Sequence, residues 1–302
     1  MEDYERERAH FDRKFGMVCG EIARMKWETN AILSRTLRRK FIQHLDFRIV
    51  DHCNLNCKCC STCSPISEER FADPDTFERD LRRLHELVGD RVMQIHLLGG
   101  EPLLHPNTSE FARIARKEFP HARIDITTNG LLVKKMPESF WEDLRKYDIA
   151  LKYTRYPISL DYDELEEYVI QRGVFVFRAR EKEPISYFRR TPVNPKGTAN
   201  AWKSYIQCTY VDCAQLRDGK LWHCPVAVHS DLWNRALEQE GLSGRFHATS
   251  LDYIDLYQET SGEAVMDFMS CAIPFCQYCE ANLGSNIPWE LSDRSITEWI
   301  DI

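Results

Sequence analysis

No run in this chain approaches the roughly 18 consecutive apolar residues that a membrane span requires. Its first residues, MEDYERERAHF, are charged where a secretory signal would be apolar. On both counts the protein is expected in the cytoplasm. An excess of basic residues is missing too: 40 Lys and Arg stand against 47 Asp and Glu, for a formal charge of -7. That balance argues against a general nucleic-acid binder, though it leaves room for one basic pocket. There is no internal repeat and no low-complexity segment.

Cysteine, in contrast, is abundant, with 12 in 302 residues. Cytosolic thiols are kept reduced, so a dense set there points to metal rather than to disulfides. Only Cys19 stands apart from the clusters.

The chain is long enough for one large domain and one small one. Residues 1–44 read as a helical N-terminal extension, with Phe11, Phe15, Val18, Ile22 and Met25 at helical spacing. From LDFRIV onward, strand and helix patterns alternate through residue 183. FADPDTFERDLRRLHELVG shows the helix signals plainly: Asp73 as N-cap, Pro74 at the first position, and Phe77, Leu81, Leu84 and Leu87 on one face. Such alternation builds a parallel sheet with right-handed crossovers, and five or six strands are too few for a closed eight-stranded barrel. The expected class is therefore α/β, an open or partial barrel over 45–183. Residues 184–302 read as a linker followed by a small module: a hairpin, LRDGKLWHCP, turning at Asp218-Gly219, then a helix ending near SCAIPFCQYC. The last twenty or so residues read as a tail.

DHCNLNCKCC places Cys53, Cys57, Cys59 and Cys60 within eight positions. Cys53, Cys57 and Cys60 have three and then two residues between them, in a loop after a strand, so three thiolates can converge on one inorganic core. Three protein ligands on a four-iron cluster leave one iron open to a small molecule. A structural zinc site built from some of Cys53, Cys57, Cys59, Cys60, Cys63 and His52 is the competing reading.

CNLNCKCC, followed by GGEP at 99–102 and TTNG at 127–130, resembles the radical S-adenosylmethionine (radical SAM) superfamily. The resemblance covers about residues 45–183 and implies a partial (β/α)6 TIM-like barrel. It implies that Cys53, Cys57 and Cys60 hold a 4Fe-4S cluster whose fourth iron takes the amine and carboxylate of S-adenosylmethionine. Reductive cleavage of the sulfonium would then give a 5′-deoxyadenosyl radical that abstracts hydrogen from substrate. Gly99, Gly100, Glu101 and Pro102 are expected at the methionine ammonium, with Thr128 and Asn129 at the nucleoside. A flavodoxin- or ferredoxin-like electron donor is implied as partner, with no nucleic acid and no membrane. Cys59 stands where the family usually has an aromatic residue or histidine, so Cys59 and Cys63 are the spare thiols.

The second set, Cys208, Cys213, Cys224, Cys271, Cys276 and Cys279, resembles the C-terminal auxiliary-cluster modules of the same family, the SPASM and shorter twitch types. The resemblance implies Cys208, Cys224, Cys276 and Cys279 as ligands of one auxiliary 4Fe-4S cluster, with Cys213 and Cys271 as the next candidates and a zinc ribbon as the competing reading. A fully protein-ligated cluster would serve as an electron conduit. The chain also resembles an aminocyclitol dehydrogenase bearing a twitch module, which points to oxidation of a small carbohydrate- or cyclitol-like molecule. Modification of a ribosomal peptide is the alternative enzyme reading, and a non-catalytic zinc or redox-sensing protein is the reading from another class. Arg155 and Arg178 are candidate catalytic cations facing substrate, with Arg189 and Arg190 behind them; period two along LKYTRYP cannot say whether Lys152 or Arg155 points inward. His223 and His229 read as hydrogen-bonding histidines rather than ligands.

Overall fold

The computed structural model describes residues 37–177, 184–185, 187–190 and 192–300. The expected helix over residues 11–25 lies outside them, as does Arg178. The fold is that of the unit Arg39–Ile302.

Five strands, β1 (His44–Val50), β2 (Gln94–Gly99), β3 (Arg123–Thr128), β4 (Ala150–Tyr153) and β5 (Val176–Phe177), run parallel in the order of the chain. The helices α1 (Pro74–Val88), α2 (Thr108–Glu118), α3 (Glu138–Lys146) and α4 (Tyr162–Gln171) connect them. Local chemistry starts and stops these helices where the sequence says it should. The Asp73 side chain accepts from Thr76 N at 3.0 Å ahead of Pro74, and Gly89 ends α1 at φ 58°. Asp161 does the same for α4, accepting from the N–H groups of Asp163 and Glu164.

Alternation along each strand sorts the two faces. Leu45, Phe47 and Ile49 of β1, Ile95 and Leu97 of β2, Ile124 and Ile126 of β3, and Leu151 and Tyr153 of β4 are buried against Phe77, Leu81, Phe111, Trp141 and Leu165 of the helices. The residues between them, including Asp46, His96, Asp125 and Lys152, lie on the opposite, concave face.

The sixth parallel strand comes from beyond the barrel segment rather than from after β5. β6 (Tyr187–Arg190) instead joins β10 (Ser285–Pro288) in a separate antiparallel pair, which the sequence pattern did not predict. β7 (Cys213–Arg217) lies beside β1 in parallel register and continues into β8 (Lys220–Trp222) and β9 (Tyr253–Asp255), both antiparallel. The result is an eight-stranded curled sheet, an open partial barrel. The β7–β8 turn is the expected one: Asp218 and Gly219 both take positive φ, 51° and 73°, as a type I′ hairpin requires.

After α5 (Ala201–Gln207), α6 (Ser230–Gln239) and α7 (Gly262–Phe268) complete the helices. A second apolar cluster gathers Trp233, Phe246, Phe275, Tyr278, Ile296, Trp299 and Ile300, and the buried Cys63 belongs to it. Among the described residues no helix is long and apolar enough to cross a membrane.

Candidate metal centre

The loop after β1 carries the first thiols. Loop and sheet meet because the end of β2 presses directly on the backbone beneath them. Gly100 N donates to Val50 O at 2.7 Å and Glu101 N to His52 O at 3.0 Å. A Cβ on Gly99 would sit 2.1 Å from Val50 O, and one on Gly100 1.9 Å from His52 O, so only glycine permits the approach. The two glycines thus serve the chain's own packing under the loop.

Glu101 is fully buried and its carboxylate accepts three hydrogen bonds: from Leu103 N at 3.0 Å, Thr128 Oγ1 at 2.7 Å and Asn129 N at 2.9 Å. It clasps the GGEP end of β2 to the TTNG end of β3. Burial pushes its carboxyl up, against the pull of those donors. Asn129 extends the clasp to the thiols, its Nδ2 lying 2.7 Å from Asn54 Oδ1 and 3.7 Å from Cys53 Sγ.

The cysteines of this loop meet different partners. Cys53 Sγ accepts from Leu55 N at 3.3 Å, Cys57 Sγ accepts from the indole N–H of Trp289 at 3.4 Å, and Cys60 Sγ lies 3.1 Å from Thr62 Oγ1. Cys59 instead donates its S–H to Glu298 O at 2.8 Å, an interaction open only to a protonated thiol, and Cys63 is packed into the second apolar cluster. Burial pushes the thiols of Cys53 and Cys57 up to about 12, so that without a cation both hold their protons. Among the described residues no group of three or more His, Cys, Asp or Glu side chains is set to hold a metal ion as it stands. The fit to a cluster therefore rests on donor chemistry: three cysteines on one loop, beside Cys59, whose sulfur meets both Glu298 O and the Arg190 side chain, and Cys63, packed among apolar residues.

Tyr156 stands against this loop. Burial raises its phenol well above the usual range, and Cys60, Cys57 and Cys53 raise it further by their proximity. Its backbone N–H is held by Tyr162 Oη at 2.9 Å, and that hydroxyl donates to Asn129 O at 3.2 Å.

In the second set the thiols are electrostatic neighbours. After burial, the thiol of Cys224 is raised by Cys208, Cys276 and Cys279; that of Cys276 is raised by Cys208, and that of Cys279 by Cys208 and Cys276. Cys208 Sγ accepts from Tyr210 N at 3.3 Å. The two remaining candidates are placed differently. Cys213 sits in β7 with its sulfur 3.9 Å from His44 Nδ1, and Cys271 is exposed. The Tyr210 phenol is raised to about 12 by burial and then by Cys208, Cys213, Cys60 and Cys63.

On the concave face, one register layer runs Gln215, Asp46, His96, Asp125, Ala150 across five strands. Gln215 Nε2 donates to Asp46 Oδ2 at 2.8 Å, and His96 Nδ1 lies 2.8 Å from Asp125 Oδ2. Sequence reasoning missed this polar layer, although its signal was present: polar residues recur at every second position of strands that are otherwise apolar. Lys152 belongs to the same face. Arg155 is engaged by acidic partners. Two positions beyond Tyr153, it pairs with Asp163 and Glu166 of α4 at 2.7 and 3.1 Å. Arg190 donates to the carbonyls of Glu298 and Ile300. His223 and His229 are both buried; His223 lies 3.2 Å from Val211 O and His229 contacts Arg48.

Residues 47–174 match the Radical SAM superfamily. The GTP 3′,8-cyclase of Microcystis aeruginosa is 31% identical over 137 residues, which cover 44% of this chain and 39% of the cyclase. That of Alkaliphilus oremlandii is 28% identical over 140 residues, covering 46% and 41%. The chain thus spans about two fifths of the length of these cyclases. Among solved structures, BtrN in complex with AdoMet and 2-DOIA is similar over 81% of this chain and 94% of its own, with a TM-score of 0.47 and 16% identity. Streptococcus suis SuiB bound to S-adenosylmethionine is similar over 45% and 33%, with a TM-score of 0.36 and 24% identity.

Proposed function

From the radical SAM domain at residues 47–174 as premise, we propose that this protein is a radical SAM oxidoreductase acting on a small, hydroxyl-rich, carbohydrate- or cyclitol-like molecule. The observation that carries the reading is the placing of Cys53, Cys57 and Cys60 on one loop tied to the GGEP and TTNG strand ends, with Cys59 giving its S–H to Glu298 O. The first three are the proposed ligands of a 4Fe-4S cluster. Bound there, such a cluster supplies the electron that splits the sulfonium of S-adenosylmethionine.

The chain's own residues supply position and charge. Gly99 and Gly100 let the loop sit on β2, and Pro102 opens the 3₁₀ turn that aims Glu101. Glu101, oriented by Thr128 and Asn129, provides a fixed negative charge beside the expected methionine ammonium. The layer of Asp46, His96, Asp125 and Gln215, bonded pairwise, gives the concave face a polar lining, in keeping with a substrate of several hydroxyl groups. Cys208, Cys224, Cys276 and Cys279 are the proposed ligands of an auxiliary 4Fe-4S cluster, the acceptor of the substrate's second electron. In this reading 45–183 supplies the first five barrel strands, 184–302 adds β7–β9 to the same sheet and carries the auxiliary site, and a flavodoxin- or ferredoxin-like donor in the cytoplasm supplies electrons.

Anaerobic reconstitution tests the class. The expected result is about eight irons per chain, with 5′-deoxyadenosine formed from S-adenosylmethionine and dithionite. Zinc alone, with the sulfonium left intact, would return the protein to the structural metal class. Deuterium transfer from labelled cyclitols into 5′-deoxyadenosine tests the substrate class, and transfer from a labelled precursor peptide instead would favour peptide modification.

A further inference from the structure

The C-terminal segment runs along the cluster loop almost residue for residue. Trp289 donates to Cys57 Sγ, and Lys58 N donates to Glu290 O at 3.0 Å while its Nζ pairs with the Glu290 carboxylate at 2.9 Å. Leu291 bridges Cys57, and Asn56 and Ser292 exchange two bonds, at 2.8 and 3.1 Å. Glu298, buried, accepts from Cys59 N at 3.3 Å, from Ser292 Oγ at 2.9 Å and from Asp293 N at 2.7 Å. Trp299 Nε1 donates to Cys60 O at 3.0 Å.

One of these bonds reaches a sulfur. The groups nearest Cys53 Sγ and Cys60 Sγ come from the loop itself and from the end of β3, but the donor on Cys57 comes from 232 residues away in sequence. It is in place only when the C-terminal segment is seated. A donor on a ligating thiolate draws charge off the sulfur, and the reduced cluster, carrying more negative charge, gains more from this than the oxidised one.

We infer that Trp289 is a positioning residue that tunes the iron-sulfur centre, its indole N–H holding the Cys57 sulfur and raising the reduction potential of the cluster bound there. This rests on the proposed function, and the two fail differently. If the parent protein builds no cluster on Cys53, Cys57 and Cys60, the function falls before Trp289 is in question.

The test uses the full chain, reconstituted anaerobically, with Trp289→Phe, which keeps a ring and loses the N–H, and Trp289→His, which restores a ring donor. The readout is the midpoint potential from an EPR-monitored titration of the signal that changes on adding S-adenosylmethionine. The expected result is a shift to more negative potential in the Phe variant at unchanged iron content, with return toward the parent value in the His variant. A Phe variant that keeps its iron and the parent potential overturns the inference. Loss of iron in both variants also overturns it, because the loop would then need the indole's bulk and not its N–H.

Discussion

Thr128 Oγ1 donates to Glu101 Oε1 at 2.7 Å, and through that bond the ends of two neighbouring strands share one buried carboxylate. Thr128→Val keeps the shape and removes the donor, leaving Glu101 with two of its three hydrogen bonds. The expected loss is about 1–3 kcal/mol, the usual penalty for a buried polar group short of a partner. A lowered urea midpoint with unchanged slope would register it, and Thr128→Ser should recover most of the loss.

Gly100→Ala places a methyl group where His52 O already is, at 1.9 Å. Backbone cannot yield there without moving Cys53 with it. The reconstituted variant is expected to lose about four irons, one cluster's content, while iron at the proposed second site of Cys208, Cys224, Cys276 and Cys279 remains. Iron analysis of parent and variant decides this, and a variant with the full complement would contradict it.

Cys59 and Cys57 are two residues apart and should respond in opposite ways. Cys59→Ala removes the bond to Glu298 O and is expected to cost about 1 kcal/mol of stability with iron content unchanged. Cys57→Ala is expected to lose about four irons and all cleavage of S-adenosylmethionine. Iron counts on the pair separate ligand from latch.

His229 gives the acid side of the stability profile a defined slope. Burial, then Arg48, Arg217 and Arg70, hold its imidazole well below the ordinary 6.5, and Asp51, which faces the same three arginines, is already paired with them. As pH falls below 6.5, the unfolded chain takes up a proton that the folded chain refuses. The stability contributed by neutral His229 is therefore complete above that pH and lost below it. Denaturation curves from pH 7 to 5 should show His229→Gln with a slope shallower by up to about 1.4 kcal/mol per pH unit, one proton's worth. Parallel profiles would contradict the assignment.

Much of the barrel was legible because local signals agreed with one another. Asp73, Pro74 and Gly89 bounded α1, and the Asp218-Gly219 pair fixed the hairpin. What period two could not supply was the choice of face along LKYTRYP. Packing made that choice: Leu151 and Tyr153 are buried against the helix layer, which leaves Lys152 on the concave face, while Arg155 pairs with α4. β6 and β10 were illegible because YFRR and SNIP are short and lack the alternating pattern of a half-buried strand. Trp289, Glu298 and Trp299 gave no sign in sequence either. Each meets the cluster loop across more than 230 residues, and nothing local to SNIPWELSDRSITEW announces a partner at Cys57 or Cys60.

That long reach sets an order of events during synthesis. The loop at 53–60 leaves the ribosome early, yet the chain must grow by 232 residues before Trp289 exists to meet Cys57. At roughly 5–20 residues per second, the nascent thiols wait on the order of 10–50 seconds without their cover. Metal delivered in that interval would meet the thiols before Trp289 can donate to Cys57.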